Sequence, residues 1–339
     1  MKINKKNTAI IISADIKSYG YRFLALQNVI RFYKERYDIY IALVLRGLDY
    51  DFEVDKQINK EHKAFFTKEK DWNDMIDELP ESIEYVFFSD ADCVELPDKE
   101  LLLETAVKEL VKNNLDGMHC FSDIIYLSEY ATQVFHSKET LGNIINDFTH
   151  KKSGSNGGWA SGGLLLFKKD WIKKVRFIDY CWLGAGDTIN MVMFMPVTMN
   201  TEFAETWNKE LLEDIERRRS YGIRFGRLNA TIMHLFHRSP DFDFNQFRRM
   251  FYGQVTKPNV DLNEELGEPY IEYQEQITQY KKYITKGMKI IDLIELFHEL
   301  RESTEEVKNP FQKHNNNIKT VILADTYPLK AIEENEIPN

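Results

Sequence analysis

Glu84-Tyr85-Val86-Phe87-Phe88-Ser89-Asp90-Ala91-Asp92-Cys93 is the stretch that decides the fold. Its first half is an unbroken apolar, aromatic and β-branched run. Such a run reads as a strand buried on both faces, the signature of a parallel sheet. It stops abruptly at two carboxylates one residue apart. Aspartate is disfavoured inside strands, so the pair is expected where the chain leaves the sheet. Open α/β sheets bind ligands at the carboxyl ends of their strands. Two acids there suit a hard divalent cation, because Mg²⁺ and Mn²⁺ prefer carboxylate oxygens.

The bulk composition agrees with an α/β protein that has a substantial core. The chain has 339 residues, 43% of them hydrophobic and 13% aromatic, enough for one large α/β domain with additions or for two domains. The net charge of −10 argues against a broadly basic, nonspecific nucleic-acid binder. Cys93, Cys120 and Cys181 are odd in number and widely spaced, with no zinc pattern, so they read as reduced thiols of a cytoplasmic protein. The apolar run Thr8 to Ser13 is followed by Asp15 and Lys17, which makes it a first strand and not a signal peptide. No apolar run approaches the roughly 20 residues that a membrane helix needs.

Working outward, Thr8–Ser13 and Tyr40–Leu45 read as buried strands, with a helix over Leu24–Tyr37 between them. That is a βαβ unit and implies a parallel sheet. The loop Asp15–Tyr21 then falls at the functional edge, within reach of a nucleotide. Lys68–Leu79 has apolar residues at helical spacing and ends at Pro80. Helices are expected over Leu101–Asn113, Thr188–Met195 and Glu205–Ser220, and strands over Asp116–Ser122 and Leu164–Phe167. Between Asp123 and Gly158 the periodicity fails, and Lys151–Gly158 reads as a mobile glycine-rich loop. Gly162 and Gly163 allow close backbone approach by a ligand. Gly184-Ala185-Gly186-Asp187 reads as a turn that sets Asp187 at a helix N-terminus, where a carboxylate also serves as a cap.

From Arg217 to Arg249 there are eight arginines against two acids, a local inversion of charge suited to phosphate contact or to intrachain ion pairs. Inside it, Ile232–His237 reads as a strand carrying His234 and His237, two metal or phosphate candidates. Glu264–Ser303 reads as helices broken near Gly287 and packed on the main body.

Taken together these pieces resemble the GT-A fold glycosyltransferases, in particular the metal-dependent family-2-like and galactosyltransferase-C-terminal-like branch of bacteria and their phages. The resemblance covers roughly residues 8–250. Ser89-Asp90-Ala91-Asp92 resembles that family's DXD motif, and Trp72-Asn73 through Leu79-Pro80 the helix that leads into it. Gly158–Gly163 is similar to the loop under the donor sugar. Gly184–Asp187 is similar to the turn that ends in the acceptor-side acid, and His234-Leu235-Phe236-His237 resembles the late histidine motif. The turn has one acid where some relatives have a Glu-Asp pair, and Arg238 stands where relatives often have glycine.

The resemblance implies a mixed, mostly parallel sheet flanked by helices and a C-terminal helical extension. It divides the chain into a catalytic domain over 1–255, with a nucleotide-binding half over 1–120 and an acceptor-side half over 121–255, followed by a helical extension and tail over 256–339. It implies transfer of a sugar from a nucleotide-sugar donor, a UDP-sugar by default, to a hydroxyl acceptor, with Mn²⁺ or Mg²⁺ as cofactor. Asp92 and His234 would hold the ion, and Asp90 would contact the ribose or reach the ion through water. Asp187 would be the base. Donor contacts fall at Ser13, Asp15, Asn73, Asp90, Ala91, Gly162, Gly163, His237 and Arg238. Acceptor contacts fall at Trp159, Trp182, Gly186 and Asp187. A glycan is the expected acceptor. The arginine cluster raises a modified base of phage DNA as the alternative acceptor, in which case the chain would work in the host cytoplasm. A nucleotidyltransferase is the alternative chemistry on a similar sheet.

Overall fold

The computed structural model describes residues 2–16, 20–61, 67–96, 101–127, 134–139, 162–184, 186–195, 207–235, 250–268 and 284–304. The main sheet is built from β1 (Thr8–Asp15), β2 (Tyr40–Arg46), β3 (Lys56–Lys60), β4 (Tyr85–Asp90), β6 (Gly117–His119), β9 (Leu164–Lys168) and β10 (Phe225–Arg227). Its order is β10-β6-β9-β4-β1-β2-β3. Only β9 runs against its neighbours, pairing antiparallel with both β4 and β6. The architecture is therefore the mixed, mostly parallel sheet flanked by helices that the sequence led us to expect.

Alternation along the strands explains why both faces are covered. On β1, Ile10, Ile12 and Ala14 enter one core with Leu43, Leu45 and Phe87, and with α1 (Tyr21–Arg36) and α3 (Leu102–Lys112). Ala9 and Ile11 enter the opposite core with Ala42, Val44, Val86 and Phe88. That second core is closed by α2 (Lys68–Glu78), α4 (Lys169–Val175), α5 (Gly186–Phe194) and α6 (Lys209–Arg219). The chain thus leaves β1 over one face through α1 and returns to β4 over the other through α2. The strand order reverses between β1 and β4, and the carboxyl ends of two such strands are the topological switch point where open α/β sheets form a crevice. Ser13 on β1 lies beside Asp90 on β4 at that edge.

A smaller sheet has the order β5-β11-β7-β8, with β5 (Cys93–Glu95), β7 (Asp123–Leu127), β8 (Val134–Glu139) and β11 (Thr231–His234). The two residues after Asp90 turn the chain out of β4 and into β5, so the acidic pair sits between the sheets. β11 runs antiparallel to β5 and sets His234 opposite Cys93. The ordered pair β7–β8 falls where sequence periodicity failed.

The C-terminal part forms a third core. Met250, Phe251 and Val255 join Ile290, Leu293, Ile294 and Phe297 around Leu183. Val255 closes α7 (Tyr252–Val255), and the later residues belong to α8 (Ile290–Thr304). Helix was expected from Glu264 onward. Instead Leu262–Glu264 turns and Glu265 forms an antiparallel bridge with Lys289, with Leu266 N–H donating to the Met288 carbonyl at 2.7 Å and Ile290 N–H to the Glu264 carbonyl at 3.0 Å. Residues 269–283 lie outside the described residues, and α8 follows Gly287, whose φ of +80° breaks a helical path as expected.

Candidate active site

A cleft of about 190 Å³ opens at the switch point, lined by Ser13, Asp15, Arg22, Lys68, Asp90, Ala91 and Asp92 among others. Oδ1 of Asp92, one of the lining residues, lies 3.5 Å from His234 Nε2. Nδ1 of His234 contacts the Leu235 carbonyl at 3.0 Å. A carbonyl can only accept, so that contact puts the proton on Nδ1 and leaves Nε2 with its lone pair, the form that ligates a metal. Asp92 and His234 are 142 positions apart in the chain numbering, and the β5–β11 pairing brings them together. An oxygen and a nitrogen at this separation fit a divalent cation such as the Mn²⁺ or Mg²⁺ implied above.

The side wall is a half-buried charge cluster. Lys68, the first residue of α2, reaches Asp90 Oδ1 at 2.6 Å. Asp90 Oδ2 accepts from Gly163 N–H at 2.8 Å. A side chain at Gly162 would lie 2.7 Å from Asp90 Oδ2, 3.0 Å from Asp187 Oδ2 and 3.2 Å from Lys68 Nζ. Only glycine lets these three groups converge, which gives a reason for the residue in this strand-entry turn. Asp187 lies in the first turn of α5, with Oδ1 accepting from Thr188 N–H at 2.8 Å, and it is not the cap residue. Gly186 is pressed onto Glu69, whose carboxylate would be 2.5 Å from any Cβ there.

Burial would lower the Lys68 ammonium, but Asp90, then Asp187 and Glu69, outweigh it and hold the group above its usual range. Burial pushes Glu69 up to about 7, against the pull of Lys68 and with the push of Asp187. Burial also raises Asp90, helped by nearby Asp92 and opposed by Lys68. Lys68, Glu69 and Arg22 were not singled out by sequence. A lysine at the first helical position opposes the helix dipole, and that mismatch was the available signal.

The other expected residues divide into three groups. Asp15, Asp90 and Ala91 line the cleft, as does Ser13, although its hydroxyl donates inward to the buried Asp71 at 3.0 Å. Asp71 also takes both Arg46 Nε and Nη2, at 2.9 and 2.7 Å, which fixes the carboxyl ends of β1 and β2. Asn73 and Trp182 stand elsewhere. Asn73 is spent on a brace, donating to the Phe177 carbonyl and to Asp179 and accepting from Phe177 N–H at 3.0 Å. Trp182 packs against the third core, next to Leu183. Trp159, His237 and Arg238 lie outside the described residues, as does the loop 151–158.

Four arginines of the run are used within the chain, while Arg238, Arg248 and Arg249 lie outside the described residues. Arg217 and Arg218 both pair with Asp214, and Arg218 also caps the carbonyls of Val175 and Arg176. Arg219 pairs with Glu216 and donates to the carbonyls of Val192 and Met195. Arg224 makes a bidentate pair with Asp116 at 3.0 and 2.8 Å. These four arginines therefore give no support to a phosphate-binding strip or to a DNA acceptor.

Two carboxyls give stability a pH dependence. Besides Glu69, burial pushes Glu95 up to about 7, although Tyr37 and Arg36 pull it down. Tyr37 Oη sits 2.6 Å from Glu95, and Leu102 N–H donates to it at 2.9 Å. The folded chain keeps these protons where the unfolded chain, with a pKa of about 4.3, has lost them. The resulting stability is fully present below the unfolded value and is lost as pH rises through about 7. Unfolding free energy is expected to fall between pH 5 and 8 by about 1–3 kcal/mol per group. Urea unfolding across that range measures it. Glu69→Gln should remove its share of the slope, and an unchanged slope would contradict the assignment.

No protein-family model matches this sequence, and no curated protein does. Among solved structures, the chain is similar to a mannosyltransferase from Pyrobaculum calidifontis in complex with GDP-mannose and Mn²⁺, at 11% identity and a TM-score of 0.41, over 86% of this chain and 68% of that one. It is similar to glucosyl-3-phosphoglycerate synthase from Mycobacterium tuberculosis in complex with Mn²⁺, UDP and phosphoglyceric acid, at 10% identity and 0.39, over 76% and 82%. It is also similar to 4-diphosphocytidyl-2C-methyl-D-erythritol synthase from Anaerococcus prevotii, at 12% identity and 0.32, over 66% and 87%. At such scores the cleft, and not the likeness, has to decide the function.

Proposed function

We propose that the chain is a metal-dependent glycosyltransferase of the GT-A class, moving a sugar from a nucleotide-sugar to a hydroxyl of a glycan. One observation carries this reading. The Asp92–His234 pair and the Asp90–Lys68–Asp187 cluster adjoin one cleft, which Asp92, Asp90 and Lys68 line, at the carboxyl ends of adjacent parallel strands. A cation ligand pair and a half-buried lysine can offset the charge of a departing diphosphate, and a second carboxylate across a glycine can take the acceptor's proton.

The roles follow from position. Arg22, in the first turn of α1, and the amides of that helix end offer positive charge to the diphosphate. Asp92 and His234 hold a divalent cation, which when bound neutralises charge on the departing diphosphate. Asp90, fixed by Lys68 and Gly163, orients the donor through its ribose or through water. Asp187 takes the proton of the acceptor hydroxyl. The acceptor oxygen bonds to the anomeric carbon as that carbon's bond to the diphosphate breaks, and the diphosphate leaves with the electron pair. A single displacement of this kind inverts the anomeric centre.

A thermal-shift screen of UDP-, GDP- and CMP-sugars with Mn²⁺ or Mg²⁺ tests the reading, with nucleotide release as the second readout. A donor at 100 times its dissociation constant adds about 2.7 kcal/mol to stability. One nucleotide class, UDP by expectation, should stabilise the fold in a metal-dependent way and be turned over. A folded sample with neither shift nor turnover for any donor, with either metal, would sink the proposal.

A further inference from the structure

We infer that Cys93 is a third protein ligand of the cation site, making it an Asp92–Cys93–His234 centre that prefers a borderline ion such as Zn²⁺ or Co²⁺ to Mg²⁺. The inference rests on the reading above that Asp92 and His234 hold a cation. It departs from that reading in the kind of ion.

Three features of the geometry carry it. First, Cys93 and His234 are register partners across the antiparallel β5–β11 pair. Residues directly opposite in such a pair project from the same face, with Cβ atoms about 4.5–5.5 Å apart. Second, the Cys93 sulfur lies 3.4 Å from Asp92 Oδ1, and His234 Nε2 lies 3.5 Å from the same oxygen. One ligand atom from each of the three residues falls within 4.8 Å of the others. Zinc bonds of about 2.0 Å to nitrogen or oxygen and about 2.3 Å to sulfur give tetrahedral edges of about 3.3–3.5 Å. The two measured edges are close to those values. Third, the frame is rigid. Leu235 N–H donates to the Asp92 carbonyl at 2.7 Å, while the Leu235 carbonyl holds His234 Nδ1.

The chemistry then separates the ions. Sulfur is a soft ligand that Mg²⁺ does not take, whereas Zn²⁺, Co²⁺ and Cd²⁺ do. On coordination the thiol releases its proton to solvent, with no change of oxidation state. Cys93 is buried at 1% exposure, so its sulfur faces the ligand cluster and not bulk water. Asp92 lines the cleft, which leaves a fourth position on the ion for a diphosphate oxygen. Three protein ligands with one open position is the pattern of catalytic zinc sites.

The test is Co²⁺ titrated into the metal-free full-length chain, with binding followed by calorimetry and ligation by absorption. A sulfur-to-cobalt charge-transfer band should appear with one ion bound. It should persist in a Cys120→Ala/Cys181→Ala double variant, where Cys93 is the remaining thiol, and vanish in Cys93→Ser. Zn²⁺ affinity should drop by about 10–100-fold in Cys93→Ser while Mg²⁺ affinity stays level. Co²⁺ bound without the band, or with an undiminished band in Cys93→Ser, overturns the thiolate and leaves the cation reading standing. Failure of Co²⁺, Zn²⁺ and Mn²⁺ alike to bind the folded chain removes both.

Discussion

Asp187→Asn is expected to lower turnover by about 10²–10⁴-fold, the usual worth of a positioned general base. Donor binding should stay within about twofold, because a base acts only as the acceptor proton moves. The substitution is close to isosteric. The asparagine carbonyl can still accept from Thr188 N–H, which Asp187 Oδ1 does at 2.8 Å, so the first turn of α5 should survive. What disappears is the charged oxygen that faces Gly162, Asp90 and Lys68. Single-turnover kinetics with saturating donor, beside the metal-dependent thermal shift, separates the cases. Full turnover would remove Asp187 as base. Loss of the shift together with turnover would make it a donor contact instead. Asp187→Ala is the less informative variant, since it also deletes the bond to Thr188, a cap-like interaction worth about 1 kcal/mol.

Much of this site could be read from the chain because its strands are covered on both faces. β1, β2 and β4 each carry an unbroken apolar run, Ala9–Ile12, Tyr40–Leu45 and Tyr85–Phe88, so the point where Ser89 and Asp90 interrupt the pattern is visible without coordinates. β3 was not visible. Its sequence Lys56-Gln57-Ile58-Asn59-Lys60 is an edge strand that among the described residues pairs with β2 alone, with one apolar residue to mark it. β5 and β10 have three residues each, too short to establish a period, whereas β6 and β11 fall within or across the runs read as strands over Asp116–Ser122 and Ile232–His237. Charged residues were harder still, because what they do depends on partners remote in sequence. Arg224 was open either to phosphate or to an intrachain pair, because its partner Asp116 lies 108 residues away. Asn73 resembled a donor contact, but its partners Phe177 and Asp179 lie over a hundred residues on. Cys93 read as an ordinary core thiol, since nothing local in the sequence reports that β11 will lay His234 opposite it.

Lys68→Met is expected to be the most damaging single change in the cleft wall, and its signature is a pH-dependent loss of stability. The ammonium is the cation at the centre of three acids. It contacts Asp90 directly, at 2.6 Å, and offsets the charge of Asp187 and Glu69. Methionine keeps most of the stem that carries Nζ over the Trp72 ring, 5.2 Å from its centre, so packing changes little. Removing one partner of a fully buried pair costs about 3–5 kcal/mol. The Lys68 and Asp90 side chains retain 23% and 21% exposure, and solvent screening brings the expected cost to about 2–3 kcal/mol at neutral pH. The sign of the pH effect follows from the acids left behind. Without the lysine the folded-state pKa values of Glu69 and Asp90, already raised by burial, rise further, so the fold holds protons that the unfolded chain gives up. The penalty should be smaller at pH 5 than at pH 8, because bound protons remove charge that the lysine no longer offsets. Added divalent cation should recover part of it by taking the place of the missing charge. Turnover should fall by about 10²-fold or more, since Asp90 loses its anchor and the departing diphosphate a neighbouring cation. Urea unfolding of the variant at pH 5 and 8, with and without Mn²⁺, reads all of this except turnover. An equal penalty at both pH values, indifferent to metal, would reduce Lys68 to a packing residue and dissolve the electrostatic account of the cleft wall.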